Sequence, residues 1–403
     1  MSKKISVGVT LALILASIAA TFALTMAFSQ SIYNKLISDI SGRAEMYAAI
    51  DDINALIRTN YFFFSSINSE KINYSISNGY VNGLGDKNSR FLTAKEYAEY
   101  RNRLNGNASG VGITTSWDNK TNHLVVTSVA SGSSAAAKGI KANDILTKIA
   151  GERVTRKNYE LLTSSFSGDT LSTISLTCLR NNTELEFNVT VGYSYLSVTH
   201  KKIGSVGYIR ISAFYANTQE QLKEAIAELQ SEQIGKLVFD LRDTSEGTVE
   251  YAAQAIDCIT PVCSNQDEVL VKLVGRDGSV VYSFPSTSNN LNMPMAILIN
   301  ENTAGPGELF ACDLRSFDKA FLVGMQSEGV GTAQETFTLD DGTAVVLTTS
   351  IILPYKSENF QDKGLQPDFE VELDSSLIGT APELLDEAKD AQLQKALSEL
   401  AAR

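Results

Sequence analysis

The rhythm of apolar and polar positions changes several times along this chain. Lys3 and Lys4 precede an uncharged run from Ile5 to Phe28 with no polar face. Such a run is long enough to span a bilayer, which takes about 20 apolar residues as a helix. It is also longer than the roughly 7–15 residue core of a cleaved signal peptide. From Arg43 to Phe63 apolar residues recur every three or four positions, the spacing of an amphipathic helix. Thr93 with Glu96 three residues on forms a capping-box pattern, which places a helix start at 93. Residues 30–105 are therefore expected to be mostly helical, with the aromatic residues of 84–104 in a core.

After residue 110 the pattern shortens to β-type runs: His123–Ala130, Asp144–Ala150, Leu171–Leu179 and Leu185–Val191. Ala135–Asp144 and Asn158–Phe166 between them suit a short and a longer helical element. From 203 to 372 strands and helices alternate. Val206–Ser212, Lys236–Arg242, Met295–Asn300 and Ala320–Gly324 read as buried strands, and Thr218–Gln230, Val249–Ile259 and Gly307–Phe317 as helices. Glu268–Val274 with Ser279–Phe284 predicts a hairpin. Thr336–Ser350 predicts a second, turning at Asp341-Gly342. The tail, Ala381–Arg403, reads as an amphipathic packing helix. The fold class is α/β (α+β) with a mixed sheet. The boundaries fall at 1–30 for a membrane helix, 31–105 for the helical N-terminal region, 106–195 for a β-rich module and 196–403 for the core.

Composition narrows the function classes. Hydrophobic residues make up 43% of the 403 positions and charged residues 20%, which predicts globular domains. A net charge of −12 argues against nucleic acid or anionic lipid as the main partner. The histidines are His123 and His200 alone, so a histidine-rich metal site is not expected, and no cofactor is implied. Cys178, Cys258, Cys263 and Cys312 lack paired zinc-ligand spacing. Cys258 and Cys263 are close enough for a small disulfide loop in an oxidising compartment; buried or idle thiols are the plainer reading. Lysines before the apolar run and none just after it place the N-terminus in the cytoplasm and the rest of the chain outside. A retained signal anchor is favoured over a cleaved signal.

One stretch poses a question. Asn300–Phe310 joins an apolar strand to a helix, the place where many hydrolases keep a nucleophile. Its turn reads Gly305-Pro306-Gly307. It could be a ligand-binding turn, a plain structural turn, or an active site that has lost its chemistry.

Several segments, in order, resemble the carboxyl-terminal processing peptidases, or tail-specific proteases, serine peptidases with a PDZ domain. Gly83–Thr93 looks like that family's Gly-Leu-Asp-Pro region, with Lys87 at the proline position. Gly110-Val111-Gly112-Ile113, followed by Gly132–Gly151, is similar to a PDZ carboxylate-binding loop and its sequel. Met295–Leu314 matches the nucleophile segment, Phe321–Pro354 the base segment, and Gly364–Glu372 the closing element. The resemblance covers nearly all of the chain after the apolar run. It implies a mixed-sheet, crotonase-like core and a serine–lysine dyad.

At the positions that match the dyad, the chemistry is missing. A serine needs a base close by, and lysine serves once burial lowers its pKa. Gly305 stands at the serine position and Val330, which cannot accept a proton, at the lysine position. Gln334 survives from the base segment but activates nothing alone. The residue after the nucleophile lends its N–H to the oxyanion, and here it is Pro306, which has none. Glu246 replaces the first glycine of the family's other oxyanion element, and a carboxylate there would repel a developing oxyanion. Ser327 and Thr303 lack a visible base and read as turn hydrogen bonders.

The resulting expectation is a single-pass, extracytoplasmic pseudopeptidase. It would bind polypeptide C-termini or a partner protein through Gly110, Val111, Gly112 and Ile113, pairing the peptide as an added strand. Two other readings stay open. One is an active endopeptidase using a noncanonical site, which a cleavage assay separates. The other is a structural partner in a cell-envelope complex, which a peptide-library screen separates.

Overall fold

A computed structural model describes residues 26, 47–108, 110–130, 133–166, 172–262, 269–287, 291–377 and 379–403. The apolar run Ile5–Phe28, apart from Met26, and Cys263 lie outside the described residues. Among the described residues, no helix is long and apolar enough to cross a membrane. The chain divides into two compact units, one to Ser75 and one from Ile76 onward. The first contains helix α1, residues 47–60, and a single tight turn, Phe64–Ser66. Helix α2 (Ser69–Asn82) follows.

In the second unit, strand β1 (Arg90–Leu92) precedes helix α3 (Ala94–Leu104). The predicted capping box starts α3: Glu96 N–H donates to Thr93 Oγ1 at 3.2 Å, and Thr93 N–H to the Glu96 carboxylate at 2.8 Å. β1 corrects the helical expectation for this stretch. It is three residues long and pairs with residues 344–346, a partner too remote for a local pattern to reveal.

A β-rich module then begins and ends on one short ladder, β2 (Asn107–Ala108) against β9 (Tyr193–Ser194). Between them lie β3 (Ile113–Asp118), β4 (His123–Val129), α4 (Ser134–Ala137), β5 (Ile145–Ile149), β6 (Glu152–Arg153), α5 (Tyr159–Ser164), β7 (Ser172–Arg180) and β8 (Thr183–Val191). The strands form an antiparallel sheet in the order β3-β4-β5-β7-β8, with β6 beside β5. Val111, Leu124, Val126, Leu146, Ile149, Leu176 and Val189 fill its core. The expected longer helix is only six residues, Tyr159–Ser164.

The core domain carries a six-stranded sheet in the order β10-β11-β13-β17-β18-β21. These are Val198–Ile203, Val206–Ile211, Lys236–Asp240, Met295–Ile299, Ala320–Gly324 and Phe369–Glu370. All but the first run parallel to their neighbours, so the sheet is mixed as expected. Its central strands read as continuous apolar runs because both faces are covered. On one face Ile209, Ile211, Leu237, Phe239 and Ile297 meet helices α6 (Thr218–Ser231), α7 (Val249–Asp257) and α8 (Pro306–Ser316). The alternate residues Tyr208, Val238, Ala296 and Leu298 meet Leu393, Ala396 and Leu400 of the last helix, α9 (Ala391–Ala401). That packing role was expected, but the tail is not one helix. Asp390 caps α9 by accepting Leu393 N–H at 3.0 Å, and the residues ahead of it form turns.

A second sheet, antiparallel, has the order β1-β20-β15-β16 with β19 also on β20. Both predicted hairpins belong to it. They are β15 (Val271–Gly275) with β16 (Val280–Phe284), and β19 (Thr332–Thr338) with β20 (Ala344–Pro354). A small parallel pair, β12 (Ala213–Phe214) with β14 (Glu246–Gly247), lies beside α7 and α8.

Candidate functional site

The strand-to-helix turn after β17 is fixed by short polar side chains. Asn300 N–H donates to Thr303 Oγ1 at 3.0 Å, and Thr303 Oγ1 donates to Leu241 O at 2.8 Å. Thr303 is fully buried, so its hydroxyl serves the turn. Gly305 follows with φ 52° and ψ −108°, a backbone shape that favours glycine. Pro306 opens α8, where its missing N–H costs the helix nothing. Gly307 cannot carry a side chain: a Cβ there would stand 2.6 Å from Thr244 O.

The segment 327–331 lies opposite, and one buried carboxylate joins the two. Glu308, fully buried in the first turn of α8, accepts Gly305 N–H at 2.9 Å, Gly329 N–H at 2.7 Å and Val330 N–H at 2.8 Å. Ser327 Oγ also donates to it, and itself accepts Leu365 N–H at 2.6 Å. Burial pushes the Glu308 carboxyl up, while the four donors pull the other way. The consequence is geometric. A Cβ placed on Gly305 would lie 3.9 Å from Val330 O and 4.0 Å from Val330 Cγ1. The two positions matched to the dyad thus face each other.

Both positions line a cavity of about 860 Å³, together with Pro306, Glu246 and Gln334. The sequence-predicted residues of the reaction centre are therefore in one place. The carboxylate of Glu246 is bound sideways, accepting the Tyr215 hydroxyl and lying 4.0 Å from Arg103. Gly247, the retained glycine beside it, has φ 120°, and a Cβ there would come 2.1 Å from Phe214 O. Among the described residues, Gln334 Nε2 donates to the Thr332 carbonyl and to the Thr332 and Thr348 hydroxyls, at 3.3–3.4 Å.

The cavity wall carries hydroxyls at Ser245, Thr248, Thr332, Thr349 and Ser350. Among the described residues, no lysine, histidine or cysteine lines it. Lys87 comes close, through an ion pair with Glu328 on the wall. Its hydrogen bond to Glu328 raises its pKa further, the wrong direction for a general base. His200 pairs with Glu228 at 2.9 Å on the outer strand β10, and His123 begins β4 of the β-rich module.

Gly110, Val111, Gly112 and Ile113 line a separate pocket of about 300 Å³ with Thr114, Ser128, Val129, Ala130 and Phe166. Val111 is buried in the module's core. The carbonyls of 110, 111 and 112 accept Gly192, Ala135 and Ala130 N–H at 2.9, 3.2 and 2.8 Å. A Cβ on Gly110, at φ 86°, would meet Phe166 O at 2.6 Å. β3, which continues from this loop, is an edge strand paired with β4 alone among the described residues.

Sequence reading passed over several of these groups. Glu308 stood in the quoted motif, and its place three residues after the helix start signals a reach back to the cap. Tyr100, expected in a core, instead lines the cavity with Arg90 and Arg103; of that segment's aromatics Phe91 is the buried one. No local signal announced this.

Comparison with known proteins completes the picture. Residues 205–371 match peptidase family S41, and residues 110–191 match a PDZ domain. Residues 205–371 are thus similar to the core of an S41, or tail-specific, protease, and a PDZ domain precedes them. It is 26% identical over 330 residues to a probable CtpA-like serine protease of Staphylococcus aureus, covering 80% of this chain and 64% of that one. The corresponding Staphylococcus haemolyticus protein is 27% identical over 315 residues, covering 77% and 62%. The chain thus spans somewhat under two thirds of these relatives' length. Among solved structures, a putative S41 protease from Bacteroides fragilis shares the fold, with a TM-score of 0.52 at 17% identity over 87% of this chain and 97% of that one.

Proposed function

We propose that this chain is an extracytoplasmic pseudopeptidase of the tail-specific protease family, anchored by the apolar run Ile5–Phe28, that binds polypeptide C-termini without cutting them. The observation that carries the reading is the pair Gly305 and Val330, which face each other where the reaction would need a hydroxyl and a base. Pro306 withholds one oxyanion donor, and Glu246 adds negative charge to the same cavity. Losing either member of a nucleophile–base unit already removes most of its catalysis. Peptide binding falls to the PDZ domain. A terminal carboxylate would meet the N–H side of Gly110–Ile113, and the chain behind it would extend the sheet along the open edge of β3.

Two measurements on the full chain in detergent test this. Fluorescence polarisation should show saturable binding of an apolar peptide with a free C-terminus, weaker binding of its amidated form, and loss on Gly112→Ala. Incubation with casein and with the same peptide should leave both intact. Specific turnover abolished by replacing a cavity hydroxyl would overturn the reading, as would equal affinity for free and amidated peptides.

A further inference from the structure

Along strand β3, Ile113, Thr115 and Trp117 are partly buried, while Thr114 and Ser116 between them are exposed. This is the two-residue period of a strand with one face turned inward. Ile113 and Trp117 both pack against the core of the β-rich module. Helix α5 is anchored at both ends of this strand. Phe166, just past the helix, closes on the loop ahead of β3, where its carbonyl oxygen lies 2.6 Å from a Cβ placed on Gly110. Tyr159, the first residue of α5, reaches the far end of β3, with its ring centroid 5.2 Å from that of Trp117. A peptide laid along the edge of β3 would therefore run from the Phe166 pocket to the Trp117–Tyr159 pair.

That aromatic pair carries a cation. The guanidinium carbon of Arg156 lies 5.7 Å from the Trp117 ring centroid and 5.1 Å from that of Tyr159. Attraction to the two ring faces holds it there. Arg156 is exposed, and among the described residues it has no carboxylate partner. The acids next to the ring residues are already engaged. Asp118 accepts the Lys120 N–H at 2.8 Å and the Thr121 hydroxyl at 2.7 Å, and Glu160 accepts the Tyr159 hydroxyl at 2.8 Å. On β6, Arg153 and Glu152 offset each other, and the exposed Lys157 adds a second positive charge beside Arg156. On a chain of net charge −12, this is a local cationic spot.

Strand pairing sets the register. A terminal carboxylate at the 110–113 loop puts the last peptide residue opposite Ile113, and the peptide then runs antiparallel to β3. Each step back along the peptide is one step forward on β3, so the fourth residue before the last stands opposite Trp117. Directly opposed residues share a face, with Cβ atoms about 4.5–5.5 Å apart. We propose that Arg156, held on Trp117 and Tyr159, is a specificity-determining residue that makes this domain select C-termini with Asp or Glu four residues before the last. The inference rests on the reading of the PDZ domain as the peptide-binding part of the chain, and adds the charge class of its ligand. Arginine suits the task because a guanidinium stacked on rings still presents N–H donors at its edge to a carboxylate.

The test is fluorescence polarisation on the full chain in detergent, with labelled octapeptides that end in a free Val and differ at one residue. Glu at the fourth position before the last should bind about fivefold tighter than Lys there, the reach of a partly exposed ion pair. Added salt should narrow the gap. The same exchange at the third position before the last, which faces away from Trp117, should change affinity less than about twofold. Arg156→Glu should reverse the order, so that the Lys peptide binds tighter than the Glu peptide. Equal affinity for the two, a preference of the same size at both positions, or one that Arg156→Glu leaves in place would overturn the inference while the peptide-binding reading stands. Equal affinity for free and amidated octapeptides would overturn that reading and this inference with it.

Discussion

Gly305 and Val330 stand within van der Waals reach of each other across the cavity, a Cβ on the first lying 4.0 Å from Cγ1 of the second. In the proposed reading these two positions keep the frame of a nucleophile–base pair without its reactive groups. This makes restoration a sharp experiment. Gly305→Ser alone should show no labelling by a fluorophosphonate probe, because neither a base nor the N–H at 306 is supplied. It should also lower stability by about 1–2 kcal/mol, since serine must adopt the positive φ of this turn. Gly305→Ser, Pro306→Ala and Val330→Lys together should give slow covalent labelling. No labelling of the triple variant would mean that the cavity departs from a working geometry beyond these positions.

The facing arrangement depends on Glu308, whose buried carboxylate satisfies three backbone N–H groups and the Ser327 hydroxyl. Glu308→Gln keeps the shape but turns an amide NH₂ toward groups that themselves donate. Unpaired buried donors cost about 1–3 kcal/mol each, so a loss of roughly 2–4 kcal/mol is expected in urea unfolding. Hydrogen exchange should also speed up at Val330. A neutral outcome at both readouts would show that water substitutes for the carboxylate.

The same residue shows where sequence reading stops. Strand β17, the turn and α8 could be read from an apolar run, a Gly-Pro-Gly punctuation and a helical period, and the capping box at Thr93 from two residues. These are local rules. Glu308 looked like an ordinary first-turn acid because three of its four partners lie 19–22 residues away, on a segment whose position depends on the whole sheet. Strand β1 was missed for a related reason, being short and paired across more than 250 positions. The sideways binding of Glu246 needed Tyr215 and Arg103 from two other elements. In the tail, the Asp390 cap was available as a signal, but a continuous apolar stripe outweighed it.

The PDZ domain is joined to the core at the β2–β9 ladder, and Asn217 binds both of its sides. Its Nδ2 donates to Gly106 O at 3.1 Å, Ser194 Oγ at 3.1 Å and Tyr195 O at 2.9 Å. Gly106 packs so closely against this side chain that a Cβ there would come 2.3 Å from it. Asn217→Ala should cost about 1–2 kcal/mol. Exchange protection should fall at the Tyr195 amide, which donates to Gly106 O at 2.7 Å, while the β7–β8 ladder inside the domain stays protected. Equal loss in both places would show that Asn217 supports the PDZ fold itself rather than its attachment.

The last prediction concerns pH. Asp313 on α8 is fully buried; one oxygen accepts Tyr355 N–H at 2.9 Å, and Oδ2 has no hydrogen-bond partner among the described residues. Burial holds its carboxyl neutral well above the usual 3.8. The native state therefore keeps a proton that the unfolded chain releases. This stabilisation is fully present below the ordinary carboxyl range and is lost as pH rises through the folded value. Asp313→Asn has no proton to release and keeps the acceptor for Tyr355. Its melting temperature should match the parent's near about pH 4 and exceed it increasingly toward about pH 8. Taking the difference between the two proteins cancels the slopes contributed by other carboxylates. A difference that stays flat over this range would show that Asp313 ionises in the folded protein as readily as in the unfolded chain.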